Sequence, residues 1–254
     1  MRKIALVTGA TAGFGKAIAV SLAKLNYDLI LTGRNKERLN QVMQTIKNQY
    51  DVEIFPLIYD VRNYDECEKA FLSIPESLKQ IDLLVNNAGL ALEMEPIHTG
   101  SLEDWELMID TNIKGLLYMT RLVTPGMVER KKGHIINLGS ISSREVYVGG
   151  NVYCATKHAV LALSQGMRMD LIPYNIKVTQ LSPGAAETNF SITRFHGDEE
   201  KAKKVYDGYT PLSAEDVANV VEYVVSLPEH VCINEIILTS TAQFNGIIHR
   251  DHKK

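Results

Sequence analysis

Short apolar runs alternate along this chain with longer amphipathic stretches. Residues 4–7, 29–31, 54–58, 83–85, 135–138, 178–181 and 236–238 read as seven strands. Their hydrophobicity is mostly continuous rather than alternating. That requires burial on both faces, the condition of a parallel sheet covered by helices. Residues 15–25, 36–48, 65–72, 104–129, 153–171 and 214–227 between them read as helices. Start signals support two of these: Ser101 stands three residues before Asp104 in the manner of a capping box, and Ser213 precedes Glu215 and Asp216 in a first turn. Strand–helix alternation of this kind predicts a doubly wound α/β sheet with right-handed crossovers. No Pro/Gly/Ser-rich linker and no repeat interrupts it, so residues 1–254 read as a single domain, with 183–208 as its largest irregular insertion.

Composition narrows the possibilities. The 254 residues carry 27 Lys+Arg against 30 Asp+Glu, a formal charge of -3. That near-balance gives no basic surface of the kind nucleic-acid binders show, and it gives no support for membrane-surface binding. With 45% hydrophobic and 22% charged residues the chain has the make-up of an ordinary globular protein. No apolar run approaches the ~18 residues needed to span a bilayer. The first strand starts too early for a cleavable signal peptide to precede it. Cys67, Cys154 and Cys232 are widely spaced, which points to neither a disulfide framework nor structural zinc. The expectation is a cytoplasmic protein.

Candidate chemistry gathers at the predicted strand ends. After the first strand, Thr8-Gly9-Ala10-Thr11-Ala12-Gly13-Phe14-Gly15 opens the first helix. Glycines at that junction let the backbone turn sharply and approach a pyrophosphate, while the helix N-terminus offers amides to its charge. A plain tight turn is the alternative. At the end of the second strand Gly33 occupies the place where an NAD enzyme carries an acid, and Arg34 follows. A guanidinium there suits the 2′-phosphate of NADP, with Arg38 one helical turn on to assist; a solvated loop arginine is the alternative. After the third strand, Asp60 and Val61 can meet an adenine, or Asp60 can serve the start of the following helix. After the fourth, Asn87-Ala88-Gly89 can touch a cofactor or shape a turn.

The fifth strand runs into Ser140, thirteen positions before Tyr153. Tyr153 and Lys157 stand at i and i+4 on one helical face. A phenol titrates near ~10, so Tyr153 needs nearby positive charge, from Lys157 and an oxidised nicotinamide, to act as acid or base at neutral pH. Ser140 can steady the reacting oxygen, with Ser142 and Ser143 as competitors. Asn112 lies within a predicted helix that Asn does not favour, which invites a role such as holding a water that relays protons towards Lys157.

Together the residues Thr8-Gly9-x-x-x-Gly13-x-Gly15, Asn86-Asn87-Ala88-Gly89, Asn112, Ser140, Tyr153-x-x-x-Lys157 and Pro183-Gly184 resemble, in order and spacing, the short-chain dehydrogenase/reductase family. The resemblance covers essentially the whole chain. It implies a Rossmann-type fold and an Asn112–Ser140–Tyr153–Lys157 tetrad with Tyr153 as general acid/base. It also implies that Lys157 binds the nicotinamide ribose and that Thr188, after Pro183 and Gly184, contacts the carboxamide.

Met94-Glu95-Pro96, Asp104-Trp105-Glu106, the residues 126–130 and 149–153, and Phe190-Ser191-x-x-Arg194-Phe195-x-Gly197-Asp198 look like one group within that family, the NADP-dependent 3-hydroxy acid dehydrogenases. That resemblance implies activity on L-serine, L-allo-threonine or 3-hydroxypropionate-like acids, reduction of malonic semialdehyde, and a homotetramer. Cys154, where a small Gly or Ser is usual, and the charged stretch 141–145 depart from the pattern. A carboxylate substrate needs a cationic partner, and the candidates are Arg194 in the insertion and Arg144 between Ser140 and Tyr153. An exposed lid arginine is the alternative for Arg194. His98, His134, His158, His196 and His230 are scattered without metal-site spacing, and Cys154 reads as a packed helix residue, so no metal is expected. Two other activities remain open, reduction of 3-oxoacyl groups or general carbonyls, and a catalytically silent NADP(H)-binding sensor.

Overall fold

The computed structural model describes residues 2–245. Strands β1 (Ile4–Val7), β2 (Asp28–Gly33), β3 (Ile54–Ile58), β4 (Ile81–Asn86), β5 (Gly133–Leu138), β6 (Ile176–Pro183) and β7 (Glu235–Leu238) form one sheet in the order β3-β2-β1-β4-β5-β6-β7. Every neighbouring pair is parallel. Chain order reverses at β1, which lies between β2 and β4. In such sheets a crevice opens there, outside the carboxyl ends of the strands.

Nine α-helices accompany the strands among the described residues: α1 (Gly13–Lys24), α2 (Lys36–Lys47), α3 (Tyr64–Leu72), α4 (Leu102–Ile109), α5 (Gly115–Arg130), α6 (Asn151–Leu171), α7 (Asn189–Arg194), α8 (Glu199–Lys204) and α9 (Ala214–Ser226). The continuous hydrophobicity of β1 has its cause in the two layers. Ala5 and Val7 join Ile18 and Leu22 of α1 and Val217 and Val221 of α9 on one face. Ile4 and Leu6 join Met119 and Val123 of α5 and Val160 of α6 on the other. Fully burying each large aliphatic side chain contributes roughly 1.5–3 kcal/mol, which favours strands apolar at every position over amphipathic ones.

Several of the polar residues that enter this core are linked to one another. Asn86 Nδ2 at the end of β4 donates to Asn137 Oδ1 of β5 at 2.9 Å, and Asn137 Nδ2 donates to Ser164 Oγ of α6 at 2.9 Å. These bonds tie β4, β5 and α6 together just below the strand ends that carry the candidate chemistry.

Three expectations are corrected. The stretch 104–129 is not one helix: α4 ends at Ile109, residues Asp110–Lys114 form a π-helical turn, and α5 resumes at Gly115. The helix expected from 153 starts at Asn151, which puts Tyr153 in its first turn. The insertion 183–208 is not irregular throughout, since it holds α7 and α8.

Caps fix the helix starts. Asn63 Oδ1 accepts from Glu66 N at 3.2 Å and so caps α3, a task the sequence left open to Asp60. Ser213 and Asp216 satisfy each other's backbone amides at the start of α9. The α7–α8 segment is anchored to the body at the end of α7, and the stretches on either side of it pair with each other. Glu93 N donates to Arg194 O at 2.8 Å, His196 Nε2 pairs with Asp104 Oδ2 at 3.0 Å, and Ala186 bridges to Leu212.

Candidate active site

The turn after β1 is built by backbone geometry. Gly9 and Gly13 take positive φ, +65° and +51°, which side-chain-bearing residues rarely adopt. A Cβ on Gly15 would stand 2.4 Å from Gly9 O, so only glycine lets α1 start this close to the strand. Ala12 precedes α1 without a side-chain cap, and the first turn holds no acidic residue. The first amides of the helix therefore face the crevice without an internal anion, the arrangement that accepts a pyrophosphate. Thr11 and Phe14 flank this turn, half-buried.

Neighbouring strand ends complete the cradle. Thr8 Oγ1 accepts from Asn87 N at 3.0 Å and Ala88 N at 2.9 Å, while Asn87 Nδ2 donates to Thr8 O at 2.8 Å and Gly9 O at 3.1 Å. The Asn87 side chain is thus spent on locking β1 to β4. Ala88 and Gly89 line the crevice beyond it. Thr188 caps α7 and approaches Gly13, where an added Cβ would lie 3.5 Å from Thr188 Cβ. Pro183 ends β6, and Gly184 N donates to Leu238 O at 2.7 Å.

At the β2 end the Arg34 side chain is 63% exposed, with Nη1 3.7 Å from Asp60 Oδ2. Arg38 is exposed in the first turn of α2. Partial burial pushes the Asp60 carboxyl up, but hydrogen bonds from Arg62 and the charges of Arg62 and Arg34 outweigh it and hold the group below its ordinary value. Val61 packs on Gly115, where a Cβ would meet its Cγ2 at 2.8 Å. An acidic side chain at 33 would collide with Thr11, because a Cβ there would lie 2.5 Å from Thr11 Cγ2. This set of donors, with the largely exposed Arg34 and Arg38 at the β2 end and glycine rather than an acid at position 33, fits a dinucleotide carrying a 2′-phosphate.

At the β5 end Ser140, Tyr153, Lys157 and Asn112 come together and all four are buried. Asn112 is held by the π-turn, a distortion that often accompanies function. Its Nδ2 donates to Leu90 O at 2.8 Å and to Thr156 Oγ1 at 3.0 Å, and its Oδ1 accepts from Leu90 N at 2.8 Å. Lys157 Nζ donates to Leu138 O at 2.9 Å, and burial lowers its pKa to about 8. Ser140 Oγ accepts from Ser142 N at 3.1 Å and hydrogen-bonds the Tyr153 hydroxyl, whereas Ser142 hydrogen-bonds Cys154 and Ser143 Oγ accepts from Ser140 N at 3.2 Å.

The electrostatics of Tyr153 differ from the sequence expectation. Burial raises its pKa, and the opposing influences are the Arg194 charge and the Ser140 hydroxyl, not Lys157. Lys157 Nζ stands 5.9 Å from the Tyr153 ring centre, while Arg194 Cζ stands 5.2 Å from it. The two candidate carboxylate partners also separate. Arg144 is turned outward into a forked pair with Glu235 of β7, its Nε donating to Oε1 at 3.0 Å. Arg194 is half-buried, and its Nε has no hydrogen-bond acceptor. Cys154 is fully buried and burial raises its thiol pKa, in keeping with a packing role. Three of the histidines are engaged in structure, His134 with Thr179, His158 with Cys154 O and His196 with Asp104.

Sequence reading gave no role to Thr8, Thr156, Tyr147 and Phe190. Thr8 stands beside the glycines and a link across strands is invisible in spacing. Tyr147 and Phe190 reach Arg194 only through the fold; Phe190 stood in the sequence pattern shared with the 3-hydroxy acid dehydrogenases but without a role, and no sequence signal marks Tyr147.

An open parallel sheet with a glycine turn at its reversal point and a buried tyrosine–lysine pair beyond β5 defines a dinucleotide-type α/β protein with an acid–base centre. A family profile described as short chain dehydrogenase matches residues 3–199. The chain belongs to the short-chain dehydrogenase family. It is 48% identical over 250 residues to an NADP-dependent 3-hydroxy acid dehydrogenase, YdfG, of Salmonella typhi, covering 97% of this chain and 99% of the relative. It is 40% identical over 244 residues to sulfoacetaldehyde reductase 2 of Chromohalobacter salexigens, covering 96% of each. Among solved structures it is similar to the closed form of a serine dehydrogenase complexed with NADP+, with a TM-score of 0.91 and 47% identity over 98% of this chain and 100% of that one.

Proposed function

We propose that this chain is an NADP-dependent oxidoreductase of small 3-hydroxy acids, oxidising L-serine, L-allo-threonine or 3-hydroxypropionate and reducing malonic semialdehyde. The observation that carries the reading is Arg194, a half-buried guanidinium beside the general-acid candidate Tyr153 with an unused Nε–H. A carboxylate is its natural partner. The relatives support it: one is an NADP-dependent 3-hydroxy acid dehydrogenase, another a reductase whose named substrate also carries an anion beside its aldehyde.

Gly9, Thr11, Gly13, Phe14, Gly15, Ala88 and Gly89 would hold the pyrophosphate side of NADP(H), with Asn87 locking their turn. Arg34 and Arg38 would serve the 2′-phosphate, Asp60 and Val61 the adenine, and Pro183, Gly184 and Thr188 the nicotinamide end. When bound, the nicotinamide supplies the acceptor or donor of hydride. In the oxidative direction the Tyr153 phenolate takes the proton from the substrate hydroxyl, and Ser140 hydrogen-bonds the same oxygen and fixes its position. Lys157, brought to about 8 by burial, exchanges protons near neutrality and would also hold the ribose. Asn112 orders the adjoining backbone and would hold the water that passes the proton outward. The segment 183–208 would form the substrate lid.

A cytoplasmic homotetramer completes the proposal. It is supported by three unpaired cysteines, by family resemblance and by exposed Leu102, Ile109 and Leu117 on α4 and α5. Among the described residues no helix is long and apolar enough to cross a membrane.

Purified protein is expected to reduce NADP+, in preference to NAD+, with L-serine or 3-hydroxypropionate. Tyr153→Phe should lower kcat by about 10²–10⁴-fold, the usual contribution of a positioned acid or base. Absence of turnover with every 3-hydroxy acid, or an unimpaired Tyr153→Phe, would overturn the assignment.

A further inference from the structure

We infer that Tyr147 and Arg194 form one carboxylate subsite, with the Arg194 Nε–H and the Tyr147 hydroxyl as its two donors, and that this pair sets the preference for acids over neutral alcohols. The inference rests on the reading of the site given above.

Tyr147 lies in the loop between Ser140 and α6, in a stretch that carried no assigned role. Its ring is seated against Gly150, where a Cβ would fall 2.2 Å from Tyr147 Cε2, so the glycine makes room for it. Its hydroxyl accepts a hydrogen bond from Arg194 Nη2 at 3.1 Å. A phenol that accepts one bond still has its own O–H to give. Among the described residues that O–H has no acceptor and Arg194 has no carboxylate partner. Burial pushes the Tyr147 phenol up in spite of the Arg194 charge, which keeps its proton in place.

The guanidinium is boxed by three rings, with Cζ 5.2 Å from the Tyr153 centre, 5.3 Å from Phe190 and 6.0 Å from Tyr147. These rings flank the half-buried guanidinium, and partial burial strengthens any pairing made along the remaining edge. Nε is buried and lacks an acceptor, a costly condition unless a ligand supplies one. One carboxylate oxygen on Nε–H and the other on the Tyr147 O–H would satisfy both donors. In a 3-hydroxy acid the reacting carbon and the carboxyl carbon are two bonds, roughly 2.5 Å, apart. A molecule that short needs its two protein partners side by side, and Arg194 Cζ lies 5.2 Å from the Tyr153 ring centre.

The test compares 3-hydroxypropionate with 3-hydroxypropionamide, which has the same shape without the charge, using NADP+ and the full-length enzyme. The wild type is expected to favour the acid in kcat/KM by at least about a hundredfold. Tyr147→Phe should shrink that acid-to-amide ratio by about tenfold, mainly through KM for the acid, as expected for losing one hydrogen bond to a charged group. Arg194→Lys should shrink it further, because an ammonium cannot offer the planar fork. Propionate should inhibit amide oxidation by the wild type competitively and propionamide should not, a measurement that stands even if a variant does not fold. An unchanged ratio in Tyr147→Phe, a collapse of the ratio in Arg144→Gln, or absence of propionate inhibition overturns the subsite. Equal use of acid and amide removes the subsite but leaves a dehydrogenase, whereas use of neither removes the underlying reading as well.

Discussion

Replacing Asn112 with alanine tests whether the π-turn exists to place this side chain. The asparagine is 2% exposed and makes three hydrogen bonds, two of them to the N–H and C=O of Leu90. Alanine removes all three and leaves the two Leu90 groups without these partners. Leu90 is half-buried, so water reaches part of the deficit, and each group costs about 1–2 kcal/mol rather than the full penalty of a dry site. Thr156 loses a donor but keeps its bond to Tyr153 O at 2.8 Å, so its share is small. The sum is about 2–4 kcal/mol, or roughly 5–15 °C in Tm for a domain of this size. Urea denaturation of wild type and variant at one fixed protein concentration measures it, since subunit association would otherwise shift the midpoint. Asn112→Asp provides the control of shape. It keeps the acceptor for Leu90 N–H but sets a carboxylate oxygen against Leu90 O, and it is expected to be no more stable than alanine. A loss below about 1 kcal/mol with kcat unchanged would show that neither the Leu90 clamp nor the site depends on Asn112.

Two further outcomes follow from named groups. Burial holds His134 at about 3, against an ordinary 6.5, so below pH 6.5 the unfolded chain binds the proton that the folded one refuses and stability falls as pH drops. By pH 5 the loss is about 2 kcal/mol, from 1.5 pH units at 1.36 kcal/mol each; urea midpoints should show it, and a His134→Asn variant with the same slope would refute it. Arg34→Glu should raise KM for NADP+ about 10–100-fold while leaving that for NAD+ far less affected, and an equal effect on both would dismiss the 2′-phosphate role.

The sheet was legible because burial on two faces leaves a mark at every residue. Continuous apolar runs located all seven strands, with β2 and β4 each extended by residues of lower hydrophobicity, such as Asp28 and Asp82. The break at Asp110–Lys114 was not legible. Thr111-Asn112-Ile113 continues an amphipathic pattern, and the extra residue in the turn becomes visible only when Asn112 finds Leu90, twenty-two positions earlier. Helices α7 and α8 escaped for another reason: each is six residues long, too short for periodicity to emerge. The glycine turn and the Asn112, Ser140, Tyr153 and Lys157 positions were readable because backbone conformation and helix-face spacing are local properties.

Charge balance at the Tyr153 phenol is not local, and there spacing misleads. Separation by four on α6 guarantees only that Tyr153 and Lys157 leave the helix on one side. Lys157 then reaches under the β5 end to Leu138 O, and the cation that counteracts the burial of Tyr153 arrives from α7. Arg194 is delivered by contacts outside its own helix, among them the Glu93 N to Arg194 O bond and the His196–Asp104 pair next to it. The proton affinity of Tyr153 therefore depends on how the segment after β6 sits on the body. Any change that loosens this segment removes the charge opposing the effect of burial and shifts Tyr153 toward its protonated form, even though Asn112, Ser140 and Lys157 remain in place.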